Sequence, residues 1–244
     1  MTQISRWWDA ILDGFTRAEP LTLEPLVVLL VLAAAVAVSI PRLTWRFFGL
    51  YVTYVHELGH AVAALTTGRL VRGIRLRLDH SGEMISAGRG RASQIWAGFW
   101  GYPAPAIAGA AMVWAAAAGW ASAALSIGAL VLLVSLVFIR NLTGAVVAVA
   151  CAAAAQALVV WGAAWIVSLA VLVLGIGLCV GSVRDWFKVV SVHVRGRYRA
   201  TSDAYLLRAA SGVPSVVWLA GFALVIWGGA FWAGHSLLRI AGLT

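Results

Sequence analysis

Tyr54-Val55-His56-Glu57-Leu58-Gly59-His60 lies inside an otherwise apolar run from about Trp45 to Thr66 and contains the pattern H-E-x-x-H. On a helix, positions four apart differ by roughly 40° in azimuth, so His56 and His60 share one face. Two neutral imidazoles on that face can hold one metal ion, and Glu57 beside them can take a proton from water. The bland alternative is coincidence, or two interior histidines bonded to neighbouring helices. With five His and four Glu in the chain, random composition yields the pattern about once in several hundred such sequences. Burying two His and a Glu among lipid-facing helices without a task is also expensive. The stretch therefore predicts a metal centre inside a membrane helix.

The composition around it agrees. Hydrophobic residues make up 62% of the chain, charged residues 11%, and the mean hydropathy is +0.92, outside the range of soluble globular domains. Several stretches approach the ~18–20 apolar residues that span a bilayer. The expected fold class is an all-α polytopic membrane protein, with a single integral domain over residues 23–244. A net charge of +9 would point to nucleic acid in a soluble chain. Here the basic residues sit in loops beside spans, where they set orientation and touch anionic headgroups, so the expected partner is the lipid bilayer and not nucleic acid. Cys151 and Cys179 fall within apolar segments as small hydrophobes, predicting neither a disulfide nor a cysteine metal site. Arginine outnumbers lysine seventeen to one, which hints at a GC-rich bacterial genome and hence a bacterial plasma membrane.

Outward from the motif, residues 1–20 read as an amphipathic interfacial helix and not a cleavable signal. Ile4, Trp7, Trp8, Ile11, Leu12 and Phe15 fall at helical spacing among Arg6, Asp9, Asp13 and Arg17. About seven spans follow: Pro25 to Ile40, Trp45 to Thr66, Gln94 to Ala118, Ala121 to Ile139, Gly144 to Trp161, Gly162 to Val183, and Val213 to Trp232. The third contains Gly101-Tyr102-Pro103-Ala104-Pro105, whose two prolines remove helix hydrogen bonds and bend the chain. Such backbone is tolerated at membrane depth only against protein or a wet cavity. Between the second and third spans, about 68–91, Ile74, Leu76 and Leu78 alternate with Arg75 and Arg77 before a turn at Asp79-His80-Ser81-Gly82. Period two around a polar turn predicts a small β-hairpin at the membrane surface. A basic loop is expected at about 184–212. The positive-inside bias sets the N-terminus, the hairpin, Arg140 and this loop on the cytoplasmic face, with Arg42 and Arg46 outside.

A catalytic metal of this type usually has a third protein ligand and one open position. The remaining candidates are Asp79, His80, Glu83, Asp185, His193, Asp203 and His235. His235 falls near the outer end of the last span, and the others except Asp203 sit among solvated charges. Ser202 is a natural N-cap, so Asp203 opens a helix leading back towards the membrane. An acidic first-turn residue is also what a helix dipole favours without any metal, and spacing alone leaves the choice open.

Taken in order, His56-Glu57-Leu58-Gly59-His60, the hairpin after Gly68, Gly101-Tyr102-Pro103-Ala104-Pro105 with Gly109, Arg140-Asn141 and Ser202-Asp203-Ala204 resemble the site-2 protease-like intramembrane zinc metalloproteases. The resemblance covers roughly Trp45 to Trp218, in the branch where a Ser-Asp-Ala segment replaces a longer Asn-Pro…Leu-Asp-Gly motif. It implies Zn2+ held by His56, His60 and Asp203, with Glu57 as general base and acid, and no other cofactor. The missing Asn-Pro motif leaves the oxyanion stabiliser open, with Asn141 the candidate. The implied activity is endoproteolysis in or next to transmembrane segments, so the implied partner is a membrane-protein substrate. A docked substrate strand is expected along the hairpin at Gly73, Ile74, Arg75 and Leu76. The rival classes are a non-catalytic membrane binding or assembly protein with the same fold, and a metal or solute transporter.

Overall fold

The computed structural model describes residues 3–196 and 201–243. Among them the chain forms α1 (Gln3–Gly14), α2 (Pro25–Ser39), α3 (Arg42–Thr66), β1 (Leu70–Leu76), β2 (Gly82–Ala87), α4 (Arg91–Phe99), α5 (Pro103–Ala117), α6 (Ala121–Ser135), α7 (Leu142–Trp161), α8 (Ala164–Arg195), α9 (Asp203–Ser211) and α10 (Ser215–Ile240). The expected fold class, helical with one small hairpin, is the one observed. Residues 197–200 of the expected basic loop, and the side chains of Ile4 and Arg6, lie outside the described residues.

The span count differs from the reading of apolar runs. Among the described residues, three helices, α7, α8 and α10, are long and apolar enough to cross a membrane, and α2 with α3 makes a fourth if the bent pair is one span. α5 and α6 are apolar but have 15 residues each, or roughly 22 Å at 1.5 Å per residue. Apolar runs do not reveal where the chain turns. Pro41 cannot continue α2 because it lacks an N–H, and α3 leaves at 87°. The corner is fastened by Arg184, which donates to Ser39 O at 2.8 Å and Ile40 O at 2.9 Å, with its guanidinium 4.0 Å from the Trp45 ring centroid. α8 also continues to Arg195, so residues 184–195 are helix where a loop was expected.

α5 defines two ends of the molecule. Its first residues adjoin the histidines of α3, whereas Ala117 O at its far end accepts from Leu21 N, and Gly119 O accepts from Ala18 N. Leu23 N donates to Ile240 O, so α2 and α10 also share that far end. The N-terminal segment and the hairpin therefore lie at opposite ends, where the sequence reading put them on one side. Arg46 was expected away from the hairpin, yet its carbonyl accepts from His80 Nε2 at 3.2 Å. Apolar runs do not show the 87° corner that separates α2 from α3 at Pro41.

The core packs α5 between α8 and α10, with α2 against α8. Gly109 and Gly175 let α5 and α8 touch backbone to backbone: a Cβ on Gly175 would lie 2.7 Å from Gly109 O. Small residues of this kind bring apolar helices into dispersion contact where no water is available to drive burial.

The hairpin pairs Leu76 with Gly82, Arg75 with Glu83 and Ile74 with Met84, with a bulge between Val71 and Gly73. Asp79 Oδ1 accepts from Ser81 N at 2.9 Å and Ser81 Oγ at 2.6 Å, closing the turn. The other edge of β1 is taken. Ile74 N donates to Phe138 O and Arg140 N to Ile74 O, while the Asn141 carboxamide bonds both Leu76 N and Leu76 O. Gly109→Val should therefore wedge α5 from α8 and destabilise the protein by about 1–3 kcal/mol. Thermal unfolding in detergent checks this, against Gly128→Val, whose Cβ meets nothing within 4 Å.

Candidate metal centre

His56 and His60 are one turn apart on α3, with their Nε2 atoms 3.1 Å from each other. Asp203 Oδ2 lies 3.2 Å from His56 Nε2 and 3.3 Å from His60 Nε2. The three are thus a triangle of donor atoms from two separate parts of the chain, grouped as a candidate metal set. Ligands 2.0–2.2 Å from a tetrahedral ion sit about 3.3 Å apart, so the triangle has the right size for one ion.

Each donor is held by the surrounding structure. His60 Nδ1 is 2.8 Å from Ala97 O. A carbonyl only accepts, so Nδ1 carries the proton and Nε2 is left with its lone pair towards the triangle. The His56 ring meets the Tyr102 ring edge-on, with centroids 4.8 Å apart. Asp203 is the first residue of α9, whose N-cap Ser202 accepts from Tyr205 N and is 2.8 Å from His193 Nε2. Ala204 and Leu207 anchor that helix among Ala106, Leu219 and Phe222.

Two glycines complete the centre, and sequence reading missed both. A Cβ on Gly101 would run into the His60 ring and come 2.7 Å from His56 Nε2. The break between α4 and α5 can cover the histidines only because this residue has no side chain. The available signal was a glycine directly before the Tyr102-Pro103 break. A Cβ on Gly82 would collide with the Glu57 carboxylate, so the first residue of β2 packs directly on that acid. Glu57 is 4% exposed and makes no hydrogen bond or ion pair among the described residues.

A cavity of about 1020 Å³ opens on His56, Glu57, His60 and Asp203, with Gly82 to Ser86 of β2 as one wall. Other acids and histidines take different places. Glu83 pairs with Arg77 at 3.7 Å, Asp79 closes the hairpin turn, and Asp185 and His80 line the cavity apart from the triangle. Asn141, the oxyanion candidate, spends its carboxamide on Leu76 and is not among the cavity-lining residues. Gly73 to Leu76, expected to dock a strand, belong to a strand paired on both edges; the uncovered edge is that of β2.

A His-His-Asp triangle of this size, set in a bundle of apolar helices, could hold a metal ion. The family model described as Peptidase M50B-like matches residues 29–234, and the chain belongs to that family, the site-2 protease family. Searches of curated proteins and of solved structures return no significant match.

Gly101→Ala should fold but bind metal at least tenfold more weakly, because its methyl group occupies the space between the two rings. Metal content after gel filtration, compared with Gly128→Ala, reads this directly.

Proposed function

We propose that the protein is an intramembrane zinc endopeptidase that hydrolyses peptide bonds in or next to transmembrane segments of membrane-protein substrates. The observation that carries this reading is the triangle of His56, His60 and Asp203 with Glu57 outside it, facing the same cavity. The donor set, two imidazoles and a carboxylate, suits zinc. When bound, zinc would supply a Lewis acid that polarises the scissile carbonyl and makes water acidic enough to attack. Glu57 takes the proton of that water and passes it to the departing amide nitrogen. Its lack of any other partner leaves the carboxylate available for both transfers. His60 keeps its orientation throughout, because Ala97 O holds Nδ1–H.

A transmembrane helix must unwind before its backbone can be cut, and an unwound segment needs partners for its N–H and C=O groups. The β2 edge offers them. Ile74 and Leu76 direct their backbone groups towards residues 138–141, so their partners Met84 and Gly82 point theirs away from β1, towards the cavity. Strand addition there would lay the substrate beside Glu57.

Orientation follows from charge. The hairpin, Arg140 and the end of α8 crowd basic residues onto the end that holds the cavity, while Arg17 and Arg239 mark the far end. Positive-inside bias then sets the cavity end in the cytoplasm and the N-terminal segment outside. The arginine-rich, lysine-poor composition fits a bacterial plasma membrane.

Glu57→Gln should retain about one zinc per chain and lose at least a hundredfold in cleavage. Wild-type cleavage by the variant would exclude Glu57 as the base and contradict this reading. An impermeant thiol reagent on intact cells should label Thr16→Cys and spare Ser191→Cys; the reverse pattern would invert the orientation.

A further inference from the structure

Gly49, Thr53 and Glu57 are spaced four apart on α3 and so form one stripe along the helix. The hairpin turn lies on this stripe. His80 packs its ring against Gly49, where a Cβ would come 2.8 Å from His80 Cδ2. Its Nε2–H donates to Arg46 O at 3.2 Å, and its own carbonyl lies 3.4 Å from Thr53 Oγ1, whose single hydrogen is shared with the nearer Gly49 O at 2.8 Å. The Trp45 ring flanks it, with centroids 6.1 Å apart. Two residues on, Gly82 sits against Glu57. Between them Asp79 fixes Ser81 by two hydrogen bonds, so the step from His80 to Gly82 is stiff.

His80 also has φ +63°, the one positive value outside glycine among the described residues. Histidine tolerates this region better than most side chains, but it is a minority conformation that the neighbours must hold. A turn needing only backbone shape would take glycine or asparagine there. Histidine adds reach: its ring grips a carbonyl on α3 that the turn's backbone does not touch.

We propose that His80 is a positioning residue: its latch on α3 sets the register of the β2 edge against Glu57, and with it which bond of a docked strand meets the metal centre. This rests on the protease reading above. Strand pairing keeps side chains on their faces only for slips of two residues, about 6.8 Å. A loosened latch therefore scatters cleavage to bonds two residues away. A loss of stability alone would slow cleavage without moving it.

The test uses the full-length protein in detergent, with His80→Ala and, as a gentler release, Thr53→Val. Spin labels at Leu78→Cys and Val62→Cys, with Cys151 and Cys179 replaced by Ala, report the turn's distance from α3. The expected result is a narrow distance distribution in the parent that broadens in both variants, with zinc content and melting temperature retained. With β-casein as an unfolded probe substrate, the new termini found by mass spectrometry should spread by two residues in both variants. Unbroadened distances, or unshifted termini at a reduced rate, would overturn the latch. Equal casein cleavage by wild type and Glu57→Gln would sink the protease reading instead, and the distance measurement would still decide the latch.

Discussion

The close seating of α3 under the break between α4 and α5 is the constraint on which the rest depends. Gly59 lets Trp100 O and Ala104 approach the helix backbone, and Gly101 lets the chain pass over both imidazoles. That contact brings Ala97 O onto His60 Nδ1 and starts α5 beside His56. α5 then runs away between α8 and α10, and Ala106 near its start helps hold α9, which carries Asp203. A side chain at either glycine would push these parts away from the histidines together.

Polar groups inside an apolar bundle are costly unless satisfied, and α3 distributes its own accordingly. Tyr54 Oη is 2.6 Å from Ser135 Oγ, Thr53 bonds Gly49 O, and His60 bonds Ala97 O. Glu57 has no such partner among the described residues, although it is only 4% exposed. Its neighbours on the same helix are fixed by their bonds. The polar groups of α3 thus differ by bonding and not by burial.

Local features of the site were legible in the sequence, and long-range ones were not. H-E-x-x-H declares its geometry within one turn of helix, and the alternation at Ile74, Leu76 and Leu78 declares a strand. Both depend on neighbours in sequence. Asp203 depends on α9 folding back against α3, which no periodicity encodes; its N-cap setting favoured it among seven candidates, and the family resemblance strengthened that choice. The corner at Pro41 illustrates the converse failure. Apolar runs on either side of it read as two separate crossings, whereas the two helices meet at 87°, and the N-terminal segment lies at the opposite end from the hairpin. The bonds of Asn141 were hidden for a similar reason: an amide after an arginine gives no sign that a strand 65 residues earlier will occupy it.

X-ray absorption at the zinc K-edge of the zinc-loaded protein tests the central claim most directly, because it reports the donor atoms themselves. The account predicts a four-coordinate shell of nitrogen and oxygen at about 2.0–2.2 Å, with outer-shell scattering from two imidazoles. It also predicts that Asp203→Ala removes one oxygen from that shell or prevents loading. A shell containing sulfur, scattering from a single imidazole, or a spectrum that Asp203→Ala leaves unchanged would contradict it.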